Sequence, residues 1–193
     1  MGEKGVTVFL EDFFDKDSIH EEKNNKRNRK TCRIFCWNIR NPSLSRARKQ
    51  ALWLRKMPFD VLILTETKNS AGCSFLEQYF GFCGYHVFFP KPGENEYGTM
   101  IISRFLSEKS PFSNSVNHFR ARVVSIRLVE FLDIEVIGTY APSRDASDTR
   151  KERKHQFLES IKKALELSSP LTSLIFCGDF NILEPNHIPH YSR

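Results

Sequence analysis

A chain of 193 residues, 40% hydrophobic and 12% aromatic with 17 Phe, can bury a domain core and is not a generally disordered polypeptide. No apolar run approaches the roughly 20 residues of a membrane-spanning helix. The net charge of +6 is unevenly spread, which favours an anionic partner such as nucleic acid over a neutral one.

Residues 1–31 read as a charged N-terminal arm ahead of a domain at 32–193. Residues 1–22 hold seven acids and two bases, including Glu11-Asp12-Phe13-Phe14-Asp15. Residues 23–56 hold twelve bases and no acid, and the remainder is close to neutral. A charge run is also what a solvated face looks like, so the charge alone decides nothing. Met1-Gly2-Glu3-Lys4-Gly5-Val6 lacks a secretion-signal layout and the Ser or Thr of a myristoylation pattern. The expectation is an intracellular protein, in cytoplasm or nucleus.

Order is expected from Arg33-Ile34-Phe35-Cys36-Trp37-Asn38, a short strand. Leu44, Ala47, Ala51 and Leu54 then recur at helical spacing, with Ser43 or Ser45 to cap and Pro58 to stop the helix. Asp60 to Thr65 is a continuous apolar strand, which completes a βαβ-sized unit. Tyr85–Phe89, Thr99–Ser103, Ala121–Val129 and Ile134–Tyr140 read as strands of antiparallel meanders. Ser147 or Asp148 opens a helix whose Phe157, Leu158, Ile161 and Leu165 share a face. The last strand is Ser173 to Cys177, followed by Gly178-Asp179-Phe180-Asn181. The five cysteines are odd in number and irregularly spaced, and read as reduced, structural thiols. Cys36 and Cys177 are expected inside buried strands, and Cys32-x-x-x-Cys36 has no second pair to make a zinc site.

Four polar groups stand at the C-terminal ends of apolar strands. Asn38 ends the first strand, Glu66 follows the second, Tyr140 closes the last of the middle set, and Asp179 with Asn181 follows the final one. Strand ends on one sheet edge converge, and ligands bind there in layered α/β folds. Taken singly, Asn38 and Asn181 are turn residues and Tyr140 a core ring. Taken together they are rich in oxygen and poor in sulfur, which suits Mg²⁺ or Mn²⁺ and a phosphodiester.

Trp37-Asn38, Thr65-Glu66-Thr67-Lys68, Tyr97 to Arg104, Thr139-Tyr140-Ala141-Pro142-Ser143 and Gly178-Asp179-Phe180-Asn181 occur in an order that resembles the endonuclease/exonuclease/phosphatase superfamily. The resemblance spans residues 33 to about 183 and is strongest to the exonuclease III-type AP endonuclease branch. It implies an α/β fold, a layered sandwich of two mixed β-sheets flanked by helices, and a nuclease acting on DNA with Mg²⁺ or Mn²⁺. It implies that Glu66 and Asn38 hold the metal and that Tyr140 reaches the phosphate or leaving group. Asp179 would handle the proton of the water or leaving oxygen, and Asn181 would bind a phosphate oxygen. Arg40, Arg46 and Lys68 are candidate phosphate contacts, with surface solvation the plainer reading of each.

The superfamily pattern continues to a Ser-Asp-His motif that has no counterpart before Arg193. The sandwich is therefore expected to be incomplete at its C-terminus, and this chain alone to turn over negligibly. His187 and His190 are poor substitutes, since Pro189 implies extended chain and their position does not fit the motif. A phosphoesterase acting on inositol phosphates or phospholipid head groups, and an inactive nucleic-acid-binding fragment, are the alternatives. Preference for abasic sites and oligomeric state are not legible.

Overall fold

Ile34–Asn38 (β1), Leu44–Arg55 (α1) and Val61–Thr67 (β2) form the expected strand–helix–strand unit, with β1 and β2 parallel from Ile34–Val61 to Asn38–Thr65. The Ser43 hydroxyl caps α1 by accepting from the Arg46 N–H at 3.3 Å. Ala47, Ala51 and Leu54 bury a stripe at helical spacing. β2 is buried on both faces from Val61 to Leu64, because helices cover one side of its sheet and a second sheet covers the other. The structure, a computed structural model, describes residues 31–131, 134–143 and 148–182. The arm before Thr31, Ser147, His187 and His190 lie outside the described residues.

The next element, Ala71–Phe82 (α2), is a helix the sequence pattern does not announce. Its two glycines and three Phe lower helix propensity, and tertiary packing overrides that. Gly72 is required there: a Cβ would lie 2.0 Å from the Pro42 carbonyl oxygen, where the turn after β1 crosses the helix start. Phe75, Tyr79 and Phe80 join Phe59 and Tyr85 in an aromatic cluster beneath the sheet.

His86–Phe88 (β3) and Gly98–Ser103 (β4) complete the first sheet in the order β1-β2-β4-β3, with β4 antiparallel to both neighbours. Ser107–Lys109 (β5), Val123–Leu128 (β6), Ile134–Tyr140 (β7) and Ser173–Asp179 (β8) make the second sheet in that order. β5, β6 and β7 are antiparallel, and β8 runs parallel to β7 after a crossover through Asp148–Glu166 (α4). The four expected strands thus pair antiparallel as anticipated, β3 with β4 and β6 with β7, but the two pairs fall in different sheets, the first joined to the βαβ unit. Residues Ala121 and Arg122, expected in a strand, belong to a single 3₁₀ turn, Arg120–Arg122. The architecture is a sandwich of two mixed sheets with flanking helices, as anticipated.

Short Phe112–Ser115 (α3) and α4 cover the second sheet, where Phe112, Val116, Val123, Ile137, Phe157 and Ile161 form a core. Leu158 and Leu165 are 41% and 45% exposed, so the shared apolar face of α4 is narrower than expected and runs through Phe157, Ile161 and Ala164. The expectation for the cysteines also needs correction. Cys36 is exposed and Cys177 half-buried, because β1 and β8 are the outer strands of their sheets. No described helix is long and apolar enough to cross a membrane.

Candidate active site

The C-terminal ends of β1, β2, β7 and β8 meet at one edge of the sandwich, and side-chain hydrogen bonds tie them together. The Asn38 amide Nδ2 donates to Glu66 Oε1 at 2.8 Å and to Asp179 Oδ2 at 3.0 Å, spanning 28 and 141 residues of sequence. Its Oδ1 accepts the Arg40 N–H at 3.1 Å. With both carboxylates on one end and a backbone donor on the other, the amide has a single consistent orientation. The Tyr140 hydroxyl donates to the same Glu66 oxygen at 3.3 Å. Among the described residues, Glu66 Oε2 receives no hydrogen bond, and Glu66 lines the cleft at this edge.

Backbone geometry aims these groups. Glu66 was expected just past its strand; it lies within β2, at a bulge where the register to β4 slips between Thr65 and Thr67. Its φ of 55° turns the side chain towards Asp179, a bulge re-aiming one residue. Gly178 sits at φ 151°, where a Cβ would fall 1.9 Å from the Thr139 carbonyl oxygen. Only glycine lets β8 come so close to β7 and set Asp179 opposite Tyr140 in the ladder. The Asp179 carboxylate accepts the Asn181 N–H through Oδ1 at 3.0 Å, an Asx turn that ends the strand. Asn181 Nδ2 donates to the Ala141 carbonyl at 2.8 Å, and Lys154 of α4 donates to the Asn181 carbonyl at 2.7 Å. One amide N–H of Asn181 is thereby committed to holding the chain after β7.

Tyr140 is nearly buried, and its phenol is pushed up to about 12. Burial is the largest cause, followed by the adjacent Glu66 carboxylate; the nearby Arg122 guanidinium works in the opposite direction. Arg122 lies 4.7 Å from the Tyr140 ring centre and donates to the Tyr140 carbonyl at 3.2 Å. Tyr97 packs edge-on against Tyr140 at 5.9 Å. Lys68 sits 4.5 Å over the Tyr97 ring. Sequence reasoning passed over Arg122 and did not single out Tyr97. The signal was faint: one basic residue ahead of a strand, and one aromatic before a glycine.

A cleft of about 570 Å³ opens at this edge, lined by Trp37, Asn38, Arg40, Arg46, Gln50, Glu66, Asp179 and Asn181 among others. Arg40 and Arg46 thus belong to its wall. Arg46 Nη2 donates to the Ile39 carbonyl at 3.1 Å and to the Arg40 carbonyl, pinning the turn after β1. Lys68 is absent from that wall. Glu66 and Asp179 are its two carboxylates, and no group of three His, Cys, Asp or Glu residues suited to a metal occurs among the described residues.

Residues 35–187 match the Endonuclease/Exonuclease/phosphatase family. Among solved structures the chain is similar to an AP endonuclease from Archaeoglobus fulgidus, at 27% identity and a TM-score of 0.63, covering 80% of this chain and 60% of that one. It is also similar in fold to a humanized D. rerio TDP2 carrying 14 mutations, at 19% identity and a TM-score of 0.54, covering 78% of this chain and 66% of that one. The chain spans about three-fifths of the first and two-thirds of the second.

Proposed function

Since the chain belongs to the endonuclease/exonuclease/phosphatase family, we propose that it carries the metal and phosphate cradle of a divalent-metal-dependent nuclease acting on DNA. The observation that carries this is the Asn38 amide held between Glu66 and Asp179, with Tyr140 on the same Glu66 oxygen. The likeness to the A. fulgidus AP endonuclease supports DNA as the substrate, as does the basic run at 23–56.

The donor set fits Mg²⁺ or Mn²⁺. Such ions need only one or two carboxylates and keep several waters, and Glu66 Oε2 is a carboxylate oxygen without a donor among the described residues. Glu66 would hold the ion, with Asn38 fixing the Glu66 rotamer and offering its Oδ1 lone pair beyond the Arg40 bond. When bound, the ion neutralises charge on the phosphate oxygens and makes water easier to deprotonate. Asp179 then accepts the proton of the attacking water, or returns one to the leaving oxygen. Its two oxygens are already oriented by Asn38 and Asn181, so it does not rotate away from that task. Tyr140 stays protonated at neutral pH and presents an O–H to the phosphate. The second N–H of Asn181 points a further donor to a non-bridging oxygen.

The test is hydrolysis of abasic, nicked and intact DNA beside inositol phosphates and phospholipid head groups, with Mg²⁺, Mn²⁺ or EDTA, by the product of the complete reading frame. DNA cleavage that needs the metal is expected. Preferential hydrolysis of inositol phosphates, or cleavage unaffected by EDTA, overturns the reading.

A further inference from the structure

We propose that the cleft continues into a groove for single-stranded nucleic acid between β1 and α1. In it Trp37 and Trp53 stack bases, Gln50 accepts a hydrogen bond from a base edge, and Arg40 and Arg46 hold the phosphate nearest the catalytic edge. The location rests on the nuclease reading above; the test does not.

Arg46, Gln50 and Trp53 fall at i, i+4 and i+7, so they form one stripe along α1. Phe35 and Trp37, two apart, share one face of β1. The stripe and the row meet: the Trp53 ring lies 5.2 Å from Trp37 and 6.2 Å from Phe35. Trp37, Arg40, Arg46 and Gln50 line the same cleft as Asn38, Glu66 and Asp179, so the groove is continuous with the site. Trp53 is 46% exposed, an aromatic face open beside a basic surface.

Two observations identify the occupant. Gln50 is only 8% exposed, yet among the described residues its Oε1 has no hydrogen-bond partner. Buried acceptors are normally satisfied, and turning the Gln50 amide into the cleft it lines lets a base N–H supply the missing donor. The segment 23–56 contains no acid, so an anionic ligand meets no charge repulsion along α1. Exposed Trp53 beside half-buried Trp37 on a cationic surface favours stacked bases on a charged backbone. A duplex hides its base faces, so the strand on this groove must be unpaired. The reading predicts a substrate with an unpaired stretch leading away from the scissile phosphate.

The chain contains two tryptophans, and both are in the groove, so intrinsic fluorescence reports occupancy directly. The 193-residue chain is titrated in EDTA with an octamer of deoxythymidylate and with a blunt duplex of the same length. Quenching by the octamer, absent with the duplex and weakening as salt rises, is expected. By anisotropy of a labelled octamer, Trp53→Ala and Gln50→Leu should bind on the order of ten- to a hundredfold more weakly. Circular dichroism checks that each variant is folded. No quenching, equal quenching by the duplex, or unchanged affinity in both folded variants overturns the groove. DNA cleavage without octamer binding sinks the groove alone, and octamer binding without metal-dependent cleavage sinks the nuclease reading alone.

Discussion

Replacing Asn38 with Asp tests the central hydrogen bonds without depending on turnover. The wild-type amide donates to two carboxylates at 2.8 and 3.0 Å, and Asn38→Asp turns that donor into a third acceptor at the same point. A hydrogen bond to a charged group contributes about 1.5–3 kcal/mol, so two give a ceiling near 6 kcal/mol. The site is half open to solvent, which screens the new repulsion, and a loss of about 3 kcal/mol is the working figure. For a domain of this size that lowers Tm by roughly 6–12 °C in EDTA. The same change adds a carboxylate to a site proposed to take Mg²⁺, so a divalent ion should recover more Tm in the variant than in the parent. Differential scanning calorimetry across a Mg²⁺ series measures both effects. Equal Tm values in EDTA would refute the bridging role of the amide, and a smaller Mg²⁺ response in the variant would refute the metal assignment.

In the product of the complete reading frame, Glu66→Gln and Asp179→Asn should each lower single-turnover DNA cleavage by at least about a hundredfold while leaving the circular dichroism spectrum unchanged; full activity in either removes that residue from the site. Tyr140→Phe should remove one phenol that ionises late, towards pH 12, from the alkaline titration followed at 295 nm. Because the folded phenol is held above its ordinary value, its contribution to stability is complete below about pH 10 and lost between pH 10 and 12, so the variant should lose less stability over that window. Gly178→Ala should cost several kcal/mol, since its Cβ meets the Thr139 carbonyl at 1.9 Å; a variant with parental Tm would show that β8 can shift freely.

The parts legible in the sequence are those governed by period and punctuation. Ala47, Ala51 and Leu54 disclosed α1 because burial on a helix repeats at 3.6 residues, and the buried strand at 61–64 disclosed itself as an apolar run. α2 stayed hidden because Gly72 serves a contact with Pro42, thirty residues back in sequence, at the expense of local propensity. The burial of Cys36 was misjudged for a related reason. A short strand's apolar letters do not say whether it lies inside its sheet or at the edge, since that depends on strand order.

The candidate site was legible as chemistry and illegible as geometry. Asn38, Glu66, Tyr140 and Asp179 could be singled out because each polar group follows an apolar strand. That the Asn38 amide would hold both acids required two sheets to close on each other. The conformations that achieve this break local rules: Arg40, Asn41, Glu66 and Asn181 all adopt positive φ, of 51°, 38°, 55° and 49° respectively. Such backbone costs on the order of 1 kcal/mol or more per residue and persists only where surroundings enforce it. Here the enforcement is visible. The Asn41 N–H donates to the Glu66 carbonyl at 2.8 Å, Arg46 clamps the Ile39 and Arg40 carbonyls, and Lys154 holds the Asn181 carbonyl. Four left-handed residues at one edge are thus a better marker of the candidate site than any one side chain. They also bear on Arg46: its side chain clamps the turn that carries Asn38 as well as lining the cleft, so under the proposed function Arg46→Ala is expected to lower cleavage partly through position and not through charge alone.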